Sequence, residues 1–105
     1  LVIEHFYPMQ VIAVRRGQLV INIGSSGSHK TGDRYDIVIQ EAFEDPQTGD
    51  VIFDEQVIGT ATIGRISPSS TRAEPDNDSV NLEEIEEIIA ENDEYYRVIM
   101  RKAQG

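Results

Sequence analysis

The sequence predicts a mainly β fold: a small curved antiparallel sheet or β-barrel, SH3-like or OB-like in kind, carrying one amphipathic helix toward its C-terminal end. Three observations lead there. Leu19, Ile21 and Ile23 alternate with Gln18, Val20 and Asn22, and Tyr35, Ile37 and Ile39 alternate with Arg34, Asp36, Val38 and Gln40, the period-two pattern of half-buried strands. The connections between such runs are short and rich in Gly and Pro, which favours hairpin neighbours over parallel crossovers. One stretch departs from that pattern, because Leu82, Ile85, Ile88 and Ile89 recur at helical spacing.

Taken in order, Met9 to Arg15 alternates and meets Arg16-Gly17, where Gly supplies the positive φ of a two-residue hairpin leading into Leu19 to Ile23. The Gly-punctuated loop Gly24 to Asp33 separates that hairpin from a long strand, Arg34 to Phe43. Asp45-Pro46-Gln47-Thr48-Gly49-Asp50 then reads as a turn, with Pro presetting φ and Gly49 in the left-handed region. Val51 to Phe53 is a short strand and Gln56 to Ile66 a longer one, in which Gly59 and Gly64 mark bulges or bends of a curved sheet. Pro68-Ser69-Ser70 breaks it, and Thr71 to Glu74 forms a last short strand. Asn81 is placed to cap a helix with Glu84 at its third position. Asn92-Asp93 ends that helix, and Tyr95 to Arg101 has the aromatic and β-branched content of a strand, although Tyr96 and Ile99 would also continue the helical stripe. The expected core is Val11, Ala13, Leu19, Ile21, Ile23, Tyr35, Ile37, Ile39, Val57, Ala61 and Ile63.

At 105 residues the chain is one domain. It divides into residues 1–8, the end of a preceding segment or a first edge strand; a β-domain over 9–74; a polar linker over 75–81; and the helix with a terminal strand or helix over 82–105, packed on the same domain. It opens at Leu1 in mid-alternation, which reads as a piece cut from a longer protein. No apolar run is long enough to span a bilayer, so no direct membrane insertion is expected of this segment. The absence of cysteine excludes disulfides, thiolate metal sites and thiol catalysis, and suits cytoplasm or periplasm equally.

The formal charge of −10 is unevenly placed. Glu74, Asp76, Asp78, Glu83, Glu84, Glu86, Glu87, Glu91, Asp93 and Glu94 fall in one stretch without a Lys or Arg, while the remaining nine acids match nine bases. An acidic chain without a basic stripe is a poor ligand for nucleic acid, whose phosphates are neutralised by clustered Lys and Arg. The helix acids Glu83, Glu84, Glu86, Glu87 and Glu91 are most simply a solvated face. Their functional reading is a docking surface for a basic protein partner.

Other chemical signals are weak. In Gly24 to Asp33 the pair Lys30-Thr31 precedes Gly32 and a strand follows, whereas a phosphate-binding loop needs Gly-Lys-Ser/Thr opening a helix. His5 and His29 lack neighbouring acids at metal-ligand spacing. Ser25, Ser26 and Ser28 do not form a nucleophile elbow. Asp45, Asp50, Asp54 and Glu55, or Asp76, Asn77 and Asp78, are acidic enough for a cation but lack the ligand order of a calcium loop. No metal, nucleotide or other cofactor is therefore expected, and no catalytic residue is assigned.

The succession Val20-Ile21-Asn22-Ile23-Gly24, Lys30-Thr31-Gly32-Asp33-Arg34-Tyr35, Asp45-Pro46-Gln47-Thr48-Gly49-Asp50-Val51-Ile52 and Ile58-Gly59-Thr60-Ala61-Thr62-Ile63 resembles the C-terminal domain of flagellar assembly protein T. Similar small β-domains are attached to curli-assembly-type envelope lipoproteins. The resemblance covers about Met9 to Glu74 and implies a compact accessory module of an exported bacterial protein, periplasmic or associated with the outer membrane, active in assembly or interaction and without catalytic residues. Its partners would be another protein, other domains of the same polypeptide, or further copies in an oligomer. The alternatives are a small barrel that binds an oligosaccharide or oligonucleotide and, less favoured, an enzyme domain.

Overall fold

The computed structural model describes residues 9–25, 27, 29–77, 80–91, 93 and 95–102. Residues 1–8 and 103–105, together with Ser26, Ser28, Asp78, Ser79, Asn92 and Glu94, lie outside the described residues. The elements are β1 (Val11–Arg15), β2 (Gln18–Ile21), β3 (Arg34–Glu44), β4 (Val51–Ile66), β5 (Thr71–Pro75), α1 (Leu82–Glu91) and β6 (Tyr96–Lys102). The strands form one antiparallel sheet in the order β1-β2-β5-β4-β3-β6.

The sheet is open: of the two forms the sequence allows, the antiparallel sheet is present and the closed SH3-like or OB-like barrel is not. Its edge strands approach only at one end, where Gln10 bridges Ile99 and the Met100 amide donates to the Met9 carbonyl at 3.0 Å. Closure would require β1 and β6 to pair along their lengths. Instead α1 packs against both, with Ile85 and Ile88 buried. An apolar stripe on a short amphipathic helix must be covered, and the seam between two edge strands covers it.

Two strands anticipated as separate are one. Val51 to Phe53 and Gln56 to Ile66 run together as the 16-residue β4, because Asp54 and Glu55 pair with Glu41 and Gln40 and continue the ladder. Tyr96 to Lys102 is a strand, paired along β3 from Tyr35 to Glu41. Asn81 caps α1, its side-chain oxygen accepting the Glu84 amide at 3.1 Å.

Three bulges decide which side chains reach the core. On β3–β4, Ile37 faces Gly59 and Val38 faces Val57, so Ile58 is the extra residue. The alternation therefore flips: Ile58 packs against the core and Val57 is exposed, against the expectation for Val57. On β1 the extra residue is Ile12, which leaves Ala13 half-buried and turns Val14 inward. On β4 it is the exposed Gly64. Gly59 has a different role, since a Cβ there would collide with the side chain of buried Val80, which anchors the chain just before α1.

Val11, Leu19, Ile21, Tyr35, Ile37, Ile39, Ala61 and Ile63 are buried as the sequence indicated, and Ile23 is partly so. Met9, Ala73, Val80, Ile85, Ile88, Val98 and Met100 complete the core. Val38 and Ile99, paired side by side, are also buried but lie outside that cluster, on the opposite face of the sheet with Gln40. Gly24 sits against the β4–β5 connection, where a Cβ would run into the Ser67 and Pro68 backbone. The neighbouring Ser25 amide bonds the Ser67 carbonyl at 3.0 Å.

Truncating fully buried Ile37 to alanine should cost about 2–5 kcal/mol in chemical denaturation, whereas Val57→Ala, at a side chain 52% exposed, should stay within about 0.5 kcal/mol. Equal losses at the two positions would contradict the bulge at Ile58. Gly24→Ala should destabilise by about 1–3 kcal/mol through the forced backbone shift, and a neutral result would show that the loop moves freely away from Ser67.

Candidate docking surface

The β3–β4 hairpin reaches past its neighbours. β6 accompanies β3 only as far as Glu41, and β5 accompanies β4 only from Ala61. Beyond those limits Ala42 to Glu44 pair with Val51 to Phe53 and form an arm, while Asp54 to Val57 pair with the part of β3 that β6 flanks. Its tip is set by turn chemistry. The Asp45 side chain accepts the Gln47 amide at 2.8 Å, the Gly49 amide reaches the Asp45 carbonyl at 2.7 Å, and Gly49 has φ of 78°.

The arm carries large apolar side chains in water. Phe43 and Ile52 are cross-strand partners on one face, 48% and 53% exposed. Val51 and Phe53 lie on the other face, with Val57 beyond Glu55 on that same face, each about half exposed. Isolated exposed apolar residues are ordinary, whereas a contiguous set marks a contact surface. β4 also has no strand on its outer side between Val51 and Ile58 among the described residues, so the backbone there is an uncovered edge.

Charge sharpens the picture. From Tyr35 to Gly64 the sequence holds Asp36, Glu41, Glu44, Asp45, Asp50, Asp54 and Glu55 and no Lys or Arg. Glu55 is held within the sheet: Arg101 donates to one carboxylate oxygen at 2.6 Å and buried Gln40 to the other at 2.8 Å. Those bonds, the Arg101 one foremost, hold its pKa below the usual carboxylate value. Glu44, Asp50 and Asp54 remain exposed around the apolar side chains.

Glu83, Glu84, Glu86, Glu87 and Glu91 are all exposed on α1, away from its buried stripe. Glu84, Glu87 and Glu91 come near Tyr96, as does Glu41 of β3. Burial first, then these carboxylates, push the Tyr96 hydroxyl above its usual pKa. Tyr96 of β6 thus lies between the helix acids and Glu41, the residue of β3 that precedes the arm.

The other sequence candidates have structural roles. Asp45 serves the turn and Glu55 the sheet. Asp76 accepts the Thr60 and Thr62 hydroxyls at 2.8 and 2.6 Å and pairs with Arg34 at 3.2 Å. Among the described residues no group of three His, Cys, Asp or Glu side chains is placed to hold a metal ion, and no helix is long and apolar enough to cross a membrane. His29 is buried, its Nε2 2.6 Å from the Thr71 hydroxyl. That hydroxyl spends its proton on the Ile23 carbonyl, so Nε2 is the donor to Thr71 and the ring ties the Gly-rich loop to β5.

The sequence pattern did not disclose the arm, because Phe43, Val51 and Ile52 read as strand residues whether or not a neighbour covers them. The usable signal was the run of seven acids without a base. No protein-family model matches this chain, and no curated protein does.

The Thr62 hydrogen bond leads the effects that hold the Asp76 carboxyl below its usual value of 3.8. A depressed folded pKa means that the stabilisation is fully present above about pH 4 and disappears as pH falls through the folded value. Asp76→Asn should lose about 1 kcal/mol at neutral pH, and the gap to wild type should narrow in urea titrations as pH falls below the usual carboxylate range. A gap unchanged in acid would place its source elsewhere than the carboxylate charge.

Proposed function

We propose that this chain is a non-catalytic interaction module of a larger exported bacterial envelope protein, serving assembly of a surface structure of the flagellum or curli type, and that its contact element is the β3–β4 arm. The envelope setting, periplasmic or at the outer membrane, rests on the family resemblance of the strands and turns between Met9 and Glu74. The interaction reading rests on one observation: Phe43, Val51 and Ile52 stand about half exposed at the end of a hairpin that, among the described residues, the flanking strands do not reach. Apolar side chains at the centre of a contact with a charged rim are the usual anatomy of protein interfaces. The acidic face of α1, across Tyr96 from Glu41, would add negative charge beside that rim.

A photo-crosslinking residue at position 52 of the full-length protein in the producing bacterium should form a protein adduct, while the same residue at position 86 on α1 should do so less. Adducts at 86 with none at 52 would move the contact to the acidic helix. Adducts at neither would refute an interaction module of this design. Ile52→Asp should abolish the adduct of a crosslinker placed at Phe43 and change stability by less than about 1 kcal/mol, since the side chain is already in water.

A further inference from the structure

The acidic arm has a counterpart on the same molecule. Arg15, Arg16, Arg65 and Arg72, with Gln18, line one concave surface at the end of β1, β2, β4 and β5. Register explains the clustering. Val20 pairs with Arg72, which pairs with Arg65, and Arg15 pairs with Gln18. Because Leu19, Ile21, Thr71 and Ala73 point into the core, the alternate residues Gln18, Val20 and Arg72 share the outer face.

Among the described residues none of the four is in an ion pair, while Arg34 and Arg101 both are. Arg16 moreover holds φ of 54° beside Gly17 at 77°, a turn geometry in which Asn or Gly is ordinarily found. Four like charges, with no carboxylate among the described residues that line this surface, in a chain of net charge −10, leave a local field for an anionic surface.

The two features lie at opposite ends of β4, whose first residue Val51 belongs to the arm and whose Arg65 belongs to the basic face. A single molecule 44 Å long cannot bring them together. We infer that copies of this chain associate head to tail, the arm of one docking on the arginine face of the next. This rests on the arm being a contact element, and it names the occupant. Glu44, Asp50 and Asp54 would meet the guanidiniums, and Phe43 would lie on them, since arginine stacks on aromatic faces and its methylene stem covers apolar surface. Such a contact joins two different patches, so it propagates into rings or filaments instead of stopping at a symmetric dimer. A single hairpin end makes a small interface, which places the affinity in the transient range.

Sedimentation of the purified chain up to about 0.5 mM tests this. At about 50 mM NaCl its mean mass should climb past the dimer with concentration, and about 500 mM NaCl should weaken the association tenfold or more. This salt series needs no variant. Phe43→Ser with Ile52→Ser, and separately Arg65→Glu with Arg72→Glu, should each be monomeric and folded by circular dichroism. Mixed in equal amounts they should form a dimer and nothing larger, because one intact arm then meets one intact basic face.

Wild-type protein that stays monomeric throughout overturns the inference. If it does so while a crosslinker at position 52 still captures a different protein in the cell, the arm keeps its docking role and only the occupant changes. Self-association of the Arg65→Glu, Arg72→Glu variant would also overturn it, by showing contact between arms. Monomeric protein that binds inorganic tripolyphosphate at the basic face would overturn it in favour of a polyanion site.

Discussion

Everything else in this domain hangs on β3 being paired on both sides. It runs beside β4 from Arg34 to Glu44 and beside β6 from Tyr35 to Glu41, so its backbone groups are satisfied without water through the middle of the sheet. Tyr35, Ile37 and Ile39 build the main core from one face, while Val38 and Gln40 are buried on the other. A strand closed in on both faces and both edges tolerates no slip of register, because a one-residue shift would exchange an apolar face for one carrying Asp36 and Gln40. The terminal strand β6 is thereby bound to the centre of the fold, despite lying last in the chain.

From that fixed strand the rest of the geometry follows by subtraction. β6 and β5 are shorter than the hairpin they flank, so the far end of β3 and β4 has no flanking strand among the described residues. At the other side of the sheet β1 meets β6 only near Gln10, and the helix stripe fills the opening that a barrel would have closed with hydrogen bonds. The bulges at Ile12, Ile58 and Gly64 supply the curvature that lets the sheet wrap toward the helix. An arm acidic and apolar at one end and a face of arginines at the other are consequences of where strands stop and how β4 spans the molecule.

Strands, hairpin turns, the helix and its Asn81 cap were legible in the sequence because each depends on neighbours in the chain: alternation, Gly and Pro at turns, spacing of apolar residues. Ile37 and Leu19 could be placed in the core on those grounds. Val57 could not, since its exposure depends on the extra residue Ile58 opposite β3, a property of pairing across the sheet. Openness was illegible for the same reason, as no local pattern states how far β1 and β6 run together. The arm was hidden because exposure of Phe43 and Ile52 reflects the length of other strands. The buried bond between His29 and Thr71 joins residues far apart in sequence, with only a Gly-rich loop to hint at it.

A hub strand paired on both sides and an arm with no flanking strand among the described residues differ in how readily their amides open, and hydrogen exchange on dilute protein measures both at once. Amides of Ile37 to Ile39 and of the paired Val98 to Met100 should be the slowest, exchanging only with global unfolding. The outward-facing amides of Val51 to Val57 should exchange orders of magnitude faster, by local opening. Protection along the arm equal to that of the hub in a monomer would mean that another part of the chain already covers it, and would contradict the account.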